Sequence, residues 1–217
     1  MSGENEAGAV GQSIPRLEVR EKTTGRAQYI ADMSRPGMLH GAILQSPYAH
    51  ARILNYDVSE ALAMPGVVDV LTGDDLGDGR MGAFIKDEHA IAKHKVRYVG
   101  EPVAAVAAET ETIARWAARL IQIEYEELAA VLTPDEGLAD DAPIIHEDLE
   151  DYIKVFPAVC GGNLVSRTEL SQGDLDKGFA EADFIVEGTY ETPAQAHLAI
   201  EPCGALAEMD ASGRVTL

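Results

Sequence analysis

The stretch Lys95-Val96-Arg97-Tyr98-Val99-Gly100-Glu101-Pro102-Val103-Ala104-Ala105-Val106-Ala107-Ala108 decides how this chain is read. Val96, Tyr98 and Val99 lean toward extended backbone, Gly100-Glu101-Pro102 has the chemistry of a turn, and the residues after it are small and apolar. Physically this is a turn followed by a strand suited to close packing. Downstream, Thr110 or Thr112 is placed to cap a helix running to about Leu120. Ile113, Trp116, Ala117, Leu120 and Ile121 recur at intervals of three and four, which predicts one apolar helix face against a sheet. Residues 121–125 then alternate as a strand does. Strand, helix and strand in that order make the region α/β, with a right-handed crossover if the two strands are parallel.

Working outward, residues 38–45 and 51–58 read as strands joined by Ser46-Pro47-Tyr48-Ala49-His50. Ser59 is placed to cap a short helix that Pro65-Gly66 ends, and 67–71 form a compact strand before a Gly- and Asp-rich loop over 72–82. Residues 1–12 are rich in Gly, Ala and acids and are expected to fray, and 15–37 are charged and turn-rich, with a turn at Thr23-Thr24-Gly25-Arg26. Residues 132–159 are acidic and contain proline, which suggests a connector running over the surface rather than a packed element. A second unit begins near Gly162-Asn163. It carries a helix over 174–182, strands over 184–191 and 205–209, a turn at Asp210-Ala211-Ser212-Gly213 and a returning strand from Arg214. Ending inside that strand suggests a cut or a subunit break.

The formal charge of −20 argues against nucleic acid, because phosphate binding needs clustered Lys and Arg. A hydrophobic content of 46% is enough for a core. The longest low-charge run, 103–108, is far short of the roughly 18 residues of a membrane span, and the acidic first residues do not resemble a secretory leader. A cytoplasmic location is expected. Cys160 and Cys203 lie far apart, consistent with two reduced and partly buried thiols. An iron–sulfur cluster held by this chain alone would need about four thiolates and is excluded.

The candidate site residues are few. His197 and Glu201 stand four apart, which on a helix would put them on one face, but Gln195 and Pro202 stand against a long helix. A buried pair held by hydrogen bonds is favoured over a metal site. Glu101 reads as a solvent-facing or turn-capping acid. His40, His50, His89 and His94 are scattered without metal-ligand spacing, and the Gly-x-Gly-x-x-Gly, P-loop and Gly-x-Ser-x-Gly patterns do not occur. No catalytic, cofactor-binding or metal residue is assigned.

Several stretches nonetheless follow one another in a familiar order: 10–16, 21–32, 36–41, 46–53, 64–67 and 96–108, then Gly173-Asp174-Leu175-Asp176-Lys177-Gly178-Phe179 and His197-Leu198-Ala199-Ile200-Glu201-Pro202-Cys203-Gly204. This series resembles the amino-terminal portion of the molybdopterin-binding (large) subunit of the xanthine dehydrogenase/aldehyde oxidase family. The resemblance implies an α/β (α+β) fold: a flexible lead over 1–24, an α/β hammerhead domain over 25–130, an acidic connector over 131–161 and the beginning of a molybdopterin-binding domain over 162–217, truncated. It implies an oxidoreductase acting on aldehydes or N-heteroaromatic compounds. Molybdenum–molybdopterin would sit in the completed subunit, with [2Fe-2S] clusters and FAD on partner subunits and the remaining molybdopterin-binding domain as a further partner chain. The family's later Gly-rich loop with a central Phe, its glutamine-bearing strand and its carboxy-terminal glutamate have no counterpart here, and Gly161-Gly162 stands in a different context. The isolated chain is therefore expected to be inactive. The alternative is a non-catalytic hammerhead module, kept for interaction or left as a remnant. The His- and Phe-bearing loop at 83–93 is the candidate border of an entrance.

Overall fold

The computed structural model describes residues 11–155 and 160–217. They fall into two compact units, one comprising Gly37–Ile185 and the other joining the residues up to Pro36 with Val186–Leu217. The fraying expected over 1–12 lies almost wholly outside the described residues.

Two three-stranded antiparallel sheets form the frame of the Gly37–Ile185 unit. In the first, β5 (Pro102–Ala108) lies between β1 (His40–Gln45) and β3 (Val67–Thr72). In the second, β2 (Ala51–Asp57) lies between β4 (Lys95–Val96) and β6 (Gln122–Glu127). The turn before β5 forms as its residues dictate. Gly100 adopts φ +95, a left-handed geometry in which a side chain would be strained, and its N–H donates to the Ser46 carbonyl at 2.9 Å. Ser46 N–H in turn donates to the Glu101 carbonyl at 2.9 Å, locking the turn to the end of β1.

Helix α3 (Glu111–Ala118) starts at Thr110, whose hydroxyl oxygen accepts from Ile113 N–H at 3.2 Å. It packs on β1 and β5 through part of the face that the spacing predicts, with Ile113, Ala117 and Ile121 in the core, but turned toward its alanines. Ala114, Ala117, Ala118 and the following Ile121 are buried, whereas Trp116 is 56% exposed and Leu120 is partly exposed. The reason is steric. β5 offers Ala104, Val106 and Ala108, so the helix comes close only by presenting alanines, which turns the indole outward to lie beneath the Arg119 guanidinium.

Two local expectations are corrected. Ser59 does not cap α2 (Ser59–Ala63); it lies within the helix, and Asp57 accepts from its N–H at 3.0 Å and its hydroxyl at 2.6 Å. The crossover between parallel strands is absent. Both edges of β5 are already taken by β1 and β3, so the chain leaving α3 joins the other sheet, where β6 pairs antiparallel with β2.

The acidic stretch after β6 is also more than a surface connector. It forms α4 (Pro134–Gly137), capped by Thr133, and then buries Leu149 and Tyr152 against Ile85. Residues 153–155 pair with 84–86: Lys86 N–H donates to Ile153 at 2.9 Å and Val155 N–H to Phe84 at 3.0 Å. Helix α5 (Leu175–Glu181), capped by Asp174, follows as expected.

The second unit contains α1 (Val19–Thr23), within a stretch expected to be turns. Its Thr23 and Thr24 hydroxyls donate back to the Val19 and Arg20 carbonyls, and Gly25 at φ +68 ends it. The hairpin expected at the far end is present, with β7 (Glu208–Met209) pairing β8 (Val215–Thr216). Asp210 closes its turn. The Ser212 hydroxyl at 2.6 Å and then the Arg214 N–H groups hold the Asp210 carboxyl down at about 2. The strand expected over 184–191 does not form, because no neighbouring strand offers those residues a ladder.

Candidate functional site

The polar chemistry of the Gly37–Ile185 unit concentrates where three segments meet: a small hairpin over 81–88, strand β4 with the residues before it, and the returning chain over 143–155 and 160–165. Met81 and Glu88 exchange both backbone hydrogen bonds, at 2.8 and 3.1 Å, and Gly82 makes the tight bend between them. A Cβ at Gly82 would lie 1.8 Å from the Ile85 carbonyl oxygen, so only glycine fits. The Lys154 ammonium donates to the Leu149, Glu150 and Tyr152 carbonyls at 2.7, 2.9 and 3.2 Å, using all three of its donors to fix the returning chain.

Asn163 closes the other side. Its amide oxygen accepts from Ile145 N–H at 2.9 Å, and its nitrogen donates to Gly137 at 3.1 Å and Pro143 at 3.0 Å. Gly161 and Leu164 exchange backbone hydrogen bonds around a turn in which Gly162 takes φ +57, which is the local use of the Gly-Gly pair. Together these contacts wall a cavity of about 420 Å³, largely apolar, with Val131, Leu138 and Leu164 on its sides and Arg97 and His146 at its polar end.

His146 is half-buried, with Nδ1 3.2 Å from the Tyr152 hydroxyl. Burial, and then the positive charge of Arg97, push its pKa from 6.5 down to about 4, so the ring is neutral near pH 7. Arg97 also reaches a second, smaller cavity of about 260 Å³, together with Arg52, Arg80, Lys93 and Lys95. Lys95 is buried and lies 2.6 Å from both carboxylate oxygens of Glu147. Burial of its ammonium outweighs that attraction and lowers its pKa, with Arg97 and Arg52 adding repulsion.

Sequence-based candidates fare unevenly. Glu101 does cap the turn, accepting from Arg97 N–H at 2.5 Å, but it is buried rather than solvent-facing, and that burial raises its pKa. His197 and Glu201 share no helix and are exposed, not a buried pair, because the chain around Leu198 turns through φ +47. Glu201 instead accepts from Ile30 N–H at 3.0 Å within its own unit. His50 is buried with Nδ1 2.6 Å from the Ala129 carbonyl. His89 and His94 are brought to the smaller cavity, together with the cations. Cys160 and Cys203 are free thiols; Cys160 is partly buried as expected, whereas Cys203 is exposed. His146, Asn163 and Arg80 belong to no motif that marks them in the sequence, and Arg97, although inside the 95–108 stretch, carries no sign there of a role in a site. The one available signal is His146 itself, a titratable ring following the apolar Ile144-Ile145.

No cluster of His, Cys, Asp and Glu able to hold a metal exists among the described residues. Residues 166–217 are exposed throughout except for partly covered Leu206, so they enclose no space for a bound cofactor by themselves. No helix among the described residues is long and apolar enough to cross a membrane.

Comparison with known proteins gives this geometry a family context. Residues 24–129 match the model of the aldehyde oxidase and xanthine dehydrogenase a/b hammerhead domain, and residues 158–217 that of the molybdopterin cofactor-binding domain. A probable xanthine dehydrogenase subunit of Bacillus subtilis (strain 168) is 40% identical over 93% of this chain and 26% of its own length. The nicotinate dehydrogenase large molybdopterin subunit of Eubacterium barkeri is 35% identical over 96% of this chain and 46% of its own. Among solved structures, the aldehyde oxidoreductase of Desulfovibrio gigas aligns with a TM-score of 0.74 at 32% identity, over 93% of this chain and 22% of that one. The chain thus spans between about a fifth and a half of the length of these relatives.

Proposed function

Because the chain belongs to the xanthine dehydrogenase/aldehyde oxidase family, as the amino-terminal portion of its molybdopterin-binding subunit, we propose that it serves a molybdenum-containing oxidoreductase acting on N-heteroaromatic compounds or aldehydes. The observation that carries this reading is the order of the two matches, hammerhead first and molybdopterin-binding domain second, along one chain. In this reading Gly37–Ile185 supplies a folded hammerhead. The exposed, apolar-rich tail is completed by molybdopterin-binding sequence outside these 217 residues, where the residues acting on substrate would reside. Molybdenum–molybdopterin supplies the redox chemistry when bound, and electrons pass to [2Fe-2S] clusters and FAD on partner subunits in the cytoplasm. No step is assigned to a residue of this chain, since its own residues do not build the cofactor's enclosure.

The test is isolation of the native complex containing this chain. Molybdenum in stoichiometric amount, and dye-linked oxidation of nicotinate, xanthine or an aldehyde, are expected. A complex with neither metal nor activity would overturn the reading. It would favour the alternative of a non-catalytic hammerhead module, for which the self-contained core of Gly37–Ile185 is the supporting observation.

A further inference from the structure

In a chain with 37 acidic and 17 basic residues, five of the basic ones line a single cavity of about 260 Å³ beside β4. Three of the five have carboxylate partners: Arg52 with Glu126 at 2.8 Å, Lys93 with Asp78 at 2.8 Å and Lys95 with Glu147 at 2.6 Å. Arg80 and Arg97 form no ion pair among the described residues. Arg80 donates through one terminal nitrogen to the Asp87 carbonyl at 3.2 Å and the Tyr152 hydroxyl at 3.3 Å, and its guanidinium lies 4.6 Å from the Tyr152 ring centre. Arg97 donates to the Ile145 carbonyl at 3.2 Å and the Lys95 carbonyl at 3.3 Å. Neutral acceptors therefore hold both guanidiniums in place, while Glu101 and Glu147 act on Arg97 only at longer range, without an ion pair. Each has N–H donors without a partner among the described residues. The lining carboxylate outside the three pairs is Asp148, which is exposed at the rim and screened by solvent.

We infer that this cavity is a binding site for a small phosphate group, free or as a simple monoester, held between the Arg80 and Arg97 guanidiniums. Planar, rigid guanidiniums present paired donors that match the oxygens of phosphate, and fixing them in advance with backbone and tyrosine contacts removes the ordering cost of binding. The local field agrees with this assignment. His89 is shifted below its ordinary value by burial and then by Arg80, and His146 by burial and then by Arg97, with Asp78 and Asp87 offsetting these shifts only in part. A bound anion would relieve that repulsion. The site is independent of the proposed oxidoreductase role, and its test does not read activity.

Isothermal titration of the full chain with inorganic phosphate, at an ionic strength held constant with sodium chloride, should give saturable binding at one site. Arg80→Gln and Arg97→Gln should each weaken it at least tenfold, whereas Arg115→Gln, which removes an exposed charge from α3, should leave it within about twofold. Glycerol phosphate in a parallel titration distinguishes the sources: tighter binding than inorganic phosphate assigns the site to monoesters, weaker binding to the free ion. Absence of saturable binding to the unsubstituted chain would overturn the inference. So would an equal loss in Arg115→Gln, which would mark the effect as bulk charge.

Discussion

Strand β5 and residues 184–191 are both rich in extended-favouring or small apolar residues, yet they meet opposite fates. β5 is paired on both edges and covered by α3, with Val103, Ala104 and Ala108 wholly inaccessible. Phe184, Val186 and Tyr190 are each about nine-tenths exposed, and their backbone joins no ladder. The difference lies in the company each segment keeps. β1 and β3 are supplied earlier in the same chain, whereas no strand among the described residues pairs with 184–191. Strand formation is thus a property of a segment and its neighbours together.

This contrast can be attacked from the covered side first. Ala117→Leu would force a large side chain between α3 and the first sheet, and a loss of about 3 kcal/mol in urea-unfolding stability is expected. If the variant is as stable as the parent, the close approach of helix and sheet is not what organises this unit. A similar effect should come from pH. His146 binds fewer protons folded, at about 4, than unfolded, at 6.5, so its contribution is present above pH 6.5 and is lost as pH falls toward 4. The total loss over that window is at most about 3 kcal/mol, and smaller because solvent screens the half-exposed ring. Unfolding measured from pH 7 to 4 should flatten in His146→Gln relative to the parent, and an unchanged slope would remove His146 as its source.

Asn163→Ala strips three hydrogen bonds from the wall of the larger cavity, and a loss of about 2 kcal/mol is expected, with faster amide exchange at Ile145. Exchange at Ile145 that stays slow would show that the wall holds without the asparagine clip. The smallest effect belongs to the exposed segment. Val186→Thr should change the stability of the chain by less than about 0.5 kcal/mol, because no apolar contact is lost. A larger loss would mean that 184–191 is already covered in solution, which would erase the contrast with β5.

Much of the Gly37–Ile185 frame was legible because its strands and caps are local. The alternation of 121–125, the turn at Gly100-Glu101-Pro102 and the Thr110 cap each follow from a few adjacent residues. The partnership of β6 with β2 was not legible, since it depends on β5 already being flanked on both sides. The exposed Trp116 was misread for a related reason. Periodicity alone favours the bulkiest stripe, but an alanine-lined strand admits only an alanine-lined helix. The cationic cavity was hidden for a different cause: Arg52, Arg80, Lys93, Lys95 and Arg97 come from three separate segments, and the bulk charge of −20 points away from any basic cluster. His146 belongs to a stretch that reads as a connector and Asn163 to the start of what reads as a second unit, and they acquire roles only when the chain folds back to bring 143–145 and Asn163 together.

The alanine contact between α3 and the first sheet has a mechanical consequence. A methyl group has no rotamers, so where alanines meet the spacing is set by backbone against backbone, and only side chains such as Val106 and Ile113 beside them can adjust to a displacement. A shove against β1 would be passed to the helix almost undiminished, making this half of the unit behave as a stiff plate rather than a cushion.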